Sequence, residues 1–226
     1  MPSAAGLLFD CDGVLVDSDE AAAHAWTNWA AEYAPGFNFV RDIIHGRPAG
    51  DTVAELVPSR DHARAVRALM QLEIDTAPMV RALPGAAELL PLLPDGTWTV
   101  VTSGVLAVAR ARLSAAGLPC PKDFVTADDV RQGKPAPDPY LIGAQRLGIA
   151  PVRGVVFEDA EAGVSSALAA GIGLTIGVGE RGLRTRAHLV VADLRDIRYD
   201  GIMLDLRKAH ILRHREQAER PTTAAP

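Results

Sequence analysis

The stretch Gly6-Leu7-Leu8-Phe9-Asp10-Cys11-Asp12-Gly13 decides the fold class of this 226-residue chain. An apolar run followed at once by two carboxylates predicts a buried strand that ends in an acidic turn. The pattern recurs along the chain, where Trp98–Val101 precedes Thr102-Ser103-Gly104 and Gly154–Phe157 precedes Glu158-Asp159. Two further apolar runs, Ile172–Val178 and Leu189–Ala192, predict a fourth and a fifth strand.

Helical patterns lie between these strands, at residues 105–116, 139–147 and 161–170. Each ends at a glycine, namely Gly117, Gly148 or Gly171, which is a typical helix stop. Strands that alternate with helices predict an α/β fold with a parallel sheet, right-handed crossovers and helices on both faces. Ligands of such sheets bind beyond the carboxyl ends of the strands, where the polar residues quoted above are found.

The segment from about residue 18 to 83 contains helices without a convincing strand: Glu20–Ala34, Gly50–Val57 and His62–Ile74. We interpret it as an all-helical cap inserted after the first strand and lying over the carboxyl-end pocket. The predicted core then comprises residues 1–17 and 84–206. Residues 207–226 are predicted to be a flexible tail, with a frayed helix followed by disorder.

The composition limits the possible functions. The chain is 48% hydrophobic and 23% charged, which argues against disorder and fibrous structure. A net charge of −5 without a basic block disfavours nucleic-acid binding. Two cysteines cannot form a disulfide framework and suit a reducing cytosol. With no signal peptide and no apolar run of about 20 residues, we expect a cytoplasmic protein that does not contact membranes.

Asp10 and Asp12 are the first candidates for chemistry. Gly13 permits a turn that brings the two carboxylates side by side, and such anions repel each other unless a divalent cation intervenes or one is protonated. An ordinary Asx turn at the end of a strand is the alternative interpretation.

Three further sites follow the later strands. Thr102, Ser103 and Gly104 could form an anion cradle, or simply a helix cap. Lys134 lies in a proline-rich loop that would hold its ammonium in place, unless it is an ordinary solvated lysine. Glu158 and Asp159 end an apolar strand, where adjacent acids are costly without a cation; capping of the next helix is the alternative. Taken together, these groups suit phosphoryl transfer, with a carboxylate nucleophile, a second carboxylate as acid and base, and cations that neutralise the phosphoryl oxygens.

The four sites resemble, in order, the four motifs of the haloacid dehalogenase superfamily. The matching stretches are Phe9–Ser18, Val100–Gly104, Gly133–Asp138 and Val156–Gly163. The resemblance implies a Rossmann-like core with a helical cap, as in the sugar-phosphate and glycerol-phosphate phosphatases and in β-phosphoglucomutase. It also implies a Mg²⁺-dependent phosphatase acting on a small phosphorylated metabolite such as a sugar, polyol or glycolate phosphate. We expect a monomer, with a dimer as the alternative.

The same resemblance implies a role for each matching residue. Asp10 would be the nucleophile that forms an aspartyl-phosphate, and Asp12 the general acid and base. Thr102 and Lys134 would bind the transferring phosphoryl group, with Ser103 and Gly104 beside them. Mg²⁺ would be bound by Asp10, the backbone carbonyl of Asp12 and Asp159, with Glu158 ligating directly or through water. On the cap loop, Arg47 would contact the oxygens of the leaving group or a second anionic group, and His45 is the weaker candidate.

Two other activities remain as alternatives. A phosphomutase would use the same aspartyl-phosphate, but the cap histidine of β-phosphoglucomutase corresponds to Ala22 here, and His24 is displaced by two positions. The non-enzyme alternative is a phosphoacceptor signalling domain, whose family places its acid pair before a separate acceptor strand and lacks a helical insertion. A dehalogenase is disfavoured because those enzymes lack the residue equivalent to Asp12.

Overall fold

The computed structural model describes residues 2–214, in which ten strands and nine α-helices form. The strands are β1 (Gly6–Phe9), β2 (Val16–Asp17), β3 (Arg81–Ala82), β4 (Trp98–Val100), β5 (Gly154–Glu158), β6 (Leu174–Val178), β7 (Leu189–Val191), β8 (Arg198–Tyr199), β9 (Leu204–Asp205) and β10 (Ile211–His214). The helices are α1 (Asp19–Tyr33), α2 (Phe39–Asp42), α3 (Ala49–Leu56), α4 (His62–Thr76), α5 (Ala86–Leu89), α6 (Leu106–Ala115), α7 (Asp138–Arg146), α8 (Glu161–Ala169) and α9 (Gly179–Gly182).

The main sheet has six strands in the order β10-β7-β6-β5-β1-β4. β1 pairs in parallel with β4 on one side and β5 on the other, and β6 and β7 continue in parallel beyond β5. Successive side chains of a strand face opposite sides, so Leu7 and Phe9 enter one apolar cluster and Leu8 enters another. The predicted α/β class with a parallel sheet is confirmed. β1 lies between β5 and the edge strand β4 and leads directly into Asp10.

The edge strand β10 differs from the sequence prediction for residues 207–214. Instead of a frayed helix, Ile211–His214 pairs antiparallel with β7, with an irregularity in the register between Ile211 and Arg213. The guanidinium of Arg213 donates to the backbone carbonyls of Leu183, Thr185 and Ala187, which ties this strand to the loop before β7. The open edge of β7 offers unpaired backbone groups, and this tertiary contact outweighs the polar composition of the segment. The rest of the predicted tail, residues 215–226, lies outside the described residues.

The segment between β2 and β3 is helical, and α1, α3 and α4 lie within two residues of their predicted positions. It has an apolar cluster of its own, which includes Trp26, Trp29, Val53 and Leu69. The indole Nε1 of Trp29 donates to the carbonyl of Ala65 on α4 at 2.9 Å, and the ring of Trp26 packs edge-on against that of Trp29. The division into a core and a cap at residues 18 and 83 stays a prediction. Within residues 2–214, none of the helices combines the length and apolar character that a membrane span requires.

Candidate active site

Most of the residues singled out from the sequence line one cavity of about 350 Å³ at the carboxyl edge of the sheet. Asp10 and Asp12 follow β1, and Asp159 follows β5. The predicted site residues that line the cavity are Asp10, Asp12, His45, Arg47, Thr102, Ser103, Gly104 and Asp159. Lys134 and Glu158 do not line the cavity but are buried beside it, in contact with Asp10 or with each other. The parallel sheet thus brings together residues that are far apart in the chain.

Lys134 is fully enclosed, with its side chain 0% exposed. Its Nζ donates to Oδ1 of Asp10 at 2.8 Å, to Oε1 of Glu158 at 2.6 Å and to the carbonyl of Val101 at 2.9 Å. All three ammonium protons therefore have acceptors. Burial alone would lower the pKa of Lys134, but the carboxylates of Asp10 and Glu158 outweigh it and raise that pKa. The lysine is a fixed cation rather than a solvated side chain.

The surroundings of Asp10 and Asp159 do not fully stabilise the negative charges of these two carboxylates. Burial, followed by the charge of Glu158, raises the pKa of Asp10 well above its usual value, despite the opposing effect of Lys134. The same two causes raise the pKa of Asp159 to about 7, against the opposing charge of Arg181. Both shifts favour either a proton or an additional cation at this position.

A divalent cation fits the donor set. Asp10, Glu158 and Asp159 each offer a carboxylate oxygen, and these atoms lie within 4.8 Å of one another. Oxygen ligands of this kind are those that Mg²⁺ prefers. Glu158 is the least available of the three, because Oε1 accepts from Lys134 and from the hydroxyl of Tyr140, at 2.6 and 2.7 Å, and Oε2 accepts from the backbone N–H groups of Asp159 and Ala160. The side chain of Asp12 is not in this cluster, so only its backbone carbonyl remains as the predicted ligand.

Asp12 is oriented by two donors that both contact the same oxygen. The hydroxyl of Ser18 donates to Oδ1 at 2.6 Å, and Nη1 of Arg112 donates to Oδ1 at 2.9 Å. Among residues 2–214, no hydrogen-bond donor contacts Oδ2, and the side chain lines the cavity and is 31% exposed. The carboxylate is thus held by one oxygen and presents the other.

The predicted anion cradle after β4 is only partly available. The hydroxyl of Ser103 donates to the carbonyl of Gly46 at 2.7 Å, and the N–H of Gly104 donates to Oγ1 of Thr102 at 3.0 Å. The helix begins later than expected, at Leu106, whose N–H donates to a carboxylate oxygen of Asp128. Thr102 is 3% exposed and lines the cavity beside Asp10. Ser103 therefore contacts the cap loop rather than presenting a free hydroxyl.

The cap loop contributes Arg47 and His45 to the cavity lining. Nη2 of Arg47 donates to Oε1 of Glu55 at 2.8 Å, an ion pair in which the glutamate side chain is 61% exposed. His45 lies edge-on to the ring of Phe39, with 6.1 Å between ring centroids. Burial, helped by the charge of Arg181, lowers the pKa of His45, so the neutral imidazole is favoured.

Two glycines allow the carboxylates to approach the backbone closely. Gly13 has a φ of +81°, a left-handed conformation that glycine adopts without strain. A Cβ atom at Gly13 would overlap the carboxylate of Asp159, and one at Gly163 would overlap that of Glu158. Both positions therefore exclude any larger residue while the carboxylates stay where they are.

Four residues of the site were missed by the sequence prediction: Glu73, Arg112, Tyr140 and Arg181. Nε of Arg181 forms an ion pair of 2.7 Å with Asp159, and its Nη1 donates to Asp19 on α1 at 2.8 Å. Nη2 of Arg112 donates to Glu73 on α4 at 3.0 Å. A signal for Arg112 did exist, because it lies on the buried face of α6 with Ala109 and Leu113, where a charge needs partners.

Comparison with known proteins agrees with this geometry. A family model described as haloacid dehalogenase-like hydrolase matches residues 5–171. The chain is 47% identical over 171 residues to hexitol phosphatase A of Escherichia coli, covering 74% of this chain and 79% of that protein. It is 35% identical over 178 residues to glycerol-1-phosphate phosphohydrolase 2 of Saccharomyces cerevisiae, covering 73% and 70%.

A solved structure extends the similarity to the three-dimensional fold. A hydrolase from Pseudomonas syringae superimposes with a TM-score of 0.73 and 28% sequence identity, covering 84% of this chain and 94% of that one. With the family model matching well over half of the sequence, the chain belongs to the haloacid dehalogenase-like hydrolases.

Proposed function

We propose that this protein is a Mg²⁺-dependent phosphatase that hydrolyses a small sugar or polyol phosphate through an aspartyl-phosphate on Asp10. The observation that carries the proposal is the buried contact between Asp10 and Lys134, next to a cavity that Asp12 also lines. The names of the relatives from Escherichia coli and Saccharomyces cerevisiae support a polyol or sugar leaving group.

In the proposed first step, Asp10 attacks phosphorus with Oδ2, since Oδ1 accepts from Lys134. The bond from phosphorus to the ester oxygen breaks, and Asp12 donates its proton to that oxygen through Oδ2. Thr102 contacts the transferring phosphoryl group from the cavity wall, and Lys134 compensates the negative charge from beneath Asp10. Arg47 and His45 contact the leaving group from the cap loop.

In the second step, Asp12 accepts a proton from water, and the resulting hydroxide attacks the aspartyl-phosphate and regenerates the Asp10 carboxylate. Ser18 and Arg112 keep Asp12 in place for both proton transfers. Asp10, the Asp12 carbonyl and Asp159 would hold Mg²⁺, with Glu158 acting through water because both of its oxygens already accept hydrogen bonds. The bound ion would neutralise charge on the phosphoryl oxygens.

The test is phosphate release from a panel of hexitol, glycerol and sugar phosphates, 2-phosphoglycolate and p-nitrophenyl phosphate, with Mg²⁺ or with EDTA. We expect Mg²⁺-dependent release from the polyol or sugar phosphates and none from an Asp10→Asn variant. Release that is unaffected by this substitution would contradict the mechanism. Rapid quenching of Asp12→Asn should trap the phosphoenzyme from a substrate whose leaving group needs no proton, such as p-nitrophenyl phosphate.

The phosphomutase alternative makes a different prediction in the same assay. A mutase returns the phosphoryl group to the sugar, so sugar phosphate isomers would accumulate without free phosphate. Ala22 stands where the mutases carry a histidine, and this favours hydrolysis. The signalling alternative is set aside, because the chain belongs to a family of hydrolases.

A further inference from the structure

Glu73 is a buried carboxylate that the proposed mechanism does not use. It lies on α4, is 9% exposed and lines the same cavity as Asp10 and Asp12. Burial, partly offset by the charge of Arg112, raises its pKa. A carboxylate in this position needs an explanation, because an acid on the buried side of a helix is costly to desolvate.

The contact with Arg112 fixes where Glu73 points. Nη2 of Arg112 donates to Oε1 of Glu73 at 3.0 Å while Nη1 donates to Oδ1 of Asp12 at 2.9 Å. Because one planar guanidinium makes both contacts, the two acceptor oxygens lie no more than about 8 Å apart. Within the described part of the chain, no group donates to Oε2 of Glu73. This oxygen therefore has no hydrogen-bond partner among these residues, and it belongs to a buried side chain that lines the cavity.

The cavity lining contains more carboxylates than arginines, and each of its arginines already forms an ion pair. Its lining in residues 2–214 includes six carboxylates and three arginines, and each arginine already faces a carboxylate. The carboxylates are Asp10, Asp12, Asp19, Glu73, Asp128 and Asp159, and the arginines are Arg47, Arg112 and Arg181. Lys134 lies beneath the cavity, on the side of the phosphoryl group. The cavity lining as a whole is thus acidic and rich in hydrogen-bond acceptors.

We infer that Glu73 is a specificity residue that accepts hydrogen bonds from hydroxyls of the leaving group and repels leaving groups that carry a carboxylate or a second phosphate. This inference rests on the proposed phosphatase function and narrows its substrates to neutral polyhydroxylated monoesters. Arg112 is the positioning residue, because it holds Oε1 and leaves Oε2 for the substrate. 2-Phosphoglycolate, whose leaving group is an acid, is excluded from the preferred substrates.

The alternative is that Glu73 only ties α4 to α6 through Arg112. The two roles separate in the substitution Glu73→Gln, which keeps an oxygen for Arg112 but replaces the negative charge at Oε2 with an amide that donates hydrogen bonds. If Glu73 only links the two helices, Glu73→Gln would lower the turnover of all substrates by a common factor. A specificity residue would change the ratio between substrates.

The experiment measures kcat/KM for glycerol 1-phosphate and 2-phosphoglycolate in the wild type, Glu73→Gln and Glu73→Asp. We expect Glu73→Gln to lower the ratio of the polyol value to the glycolate value by about tenfold or more, since a charge-assisted hydrogen bond is lost and a repulsion is removed. Glu73→Asp keeps the charge but shortens its reach, so the polyol value should fall while 2-phosphoglycolate stays a poor substrate. Asp75→Asn is the matched control, because it neutralises an exposed acid on the same helix, and it should leave the ratio unchanged.

Each result either supports or overturns the inference on Glu73. If the wild type is active and Glu73→Gln has the same ratio of kcat/KM values for the two substrates, the inference is overturned. The proposed phosphatase function would still stand. Failure of the wild type to release phosphate from any monoester overturns the proposed function, and this inference with it. A wild type that prefers 2-phosphoglycolate to glycerol 1-phosphate overturns the inference alone.

Discussion

Nζ of Lys134 donates a hydrogen bond of 2.8 Å to Oδ1 of Asp10, although the two residues are 124 positions apart in the chain. The same ammonium contacts Glu158, so one buried cation compensates two buried carboxylates. Removing it would leave both of them without their counter-charge.

Lys134→Met should therefore lower the free energy of unfolding by about 3–5 kcal/mol, as expected when one partner of a buried ion pair is removed. Urea denaturation in the absence of metal measures this effect. Lys122→Met is the control, because Lys122 is exposed, and it should change stability by less than about 0.5 kcal/mol. A loss below about 1 kcal/mol in Lys134→Met would mean that the carboxylates are protonated or paired in another way.

Asp10→Asn should reduce phosphate release by about a thousandfold or more, because the amide cannot act as the nucleophile. The melting temperature of the metal-free variant should be no lower than that of the wild type, since burial and the charge of Glu158 raise the pKa of Asp10 and disfavour its ionised form. Scanning calorimetry in EDTA checks the second expectation. A large drop in melting temperature would show that Asp10 stabilises the fold.

Asp159 should make the metal-free protein less stable as the pH rises. Its pKa is about 7 in the folded protein, against about 3.9 in an unfolded chain. Between these values the folded state binds the proton more strongly, so the free energy of unfolding falls with increasing pH, by at most about 1.4 kcal/mol per pH unit. In urea denaturation with EDTA from about pH 5 to pH 7, the free energy of unfolding of the wild type should fall more steeply with pH than that of Asp159→Asn. Parallel curves would contradict the raised pKa.

Saturating Mg²⁺ should reduce the loss of unfolding free energy with rising pH in the wild type, because a cation stabilises the ionised carboxylates and binds only the folded state. The same titration in Asp159→Asn should show weaker stabilisation by Mg²⁺. Equal stabilisation of both proteins would remove Asp159 from the proposed ligands.

Gly163→Ala should destabilise the protein by about 1–3 kcal/mol and reduce activity, although alanine usually stabilises a helix relative to glycine. The added Cβ would overlap the carboxylate of Glu158 and displace it from Lys134 and Tyr140. Gly36→Ala is the control, because no atom lies within 4 Å of the added methyl group. An unaffected Gly163→Ala variant would show that Glu158 can move freely.

Arg47→Ala should raise KM for the preferred sugar or polyol phosphate more than for p-nitrophenyl phosphate, if Arg47 contacts the leaving group. Its ion pair with Glu55 is exposed, so stability should change by no more than about 1 kcal/mol. Arg41→Ala is the control, because Arg41 is an exposed arginine that does not line the cavity, and it should leave the selectivity unchanged. Equal effects of Arg47→Ala on both substrates would argue against this contact.

The part of the site that the sequence predicts consists of residues at strand ends. Asp10, Thr102 and Asp159 follow local apolar runs, and the parallel topology alone makes their side chains converge. Arg112, Glu73 and Arg181 differ, because their partners lie between 22 and 162 positions away and no local pattern identifies them. A charge on the buried face of α6 indicates that Arg112 needs a partner, but not which one.

The edge strand β10 was unpredictable for a related reason. Ile211–His214 is too short and too polar to indicate a strand, and it forms one because β7 presents an open edge. The other strands of the main sheet differ from β10, since each contains an apolar run that predicts a strand from the local sequence. They are β1, β4, β5, β6 and β7.

The two-stranded ribbon of β2 and β3 places Val16 beside Ala82 and Asp17 beside Arg81. The chain therefore leaves and re-enters the α/β part at adjacent points, and a graft of other helices needs to preserve these two backbone pairs and the contacts that Ser103, Arg112 and Arg181 make with the inserted segment. Insertions or exchanges between them can proceed without disturbing the register of the main sheet. Substrate preference can accordingly change through the inserted segment, provided that Arg112 keeps a partner there and continues to hold Asp12.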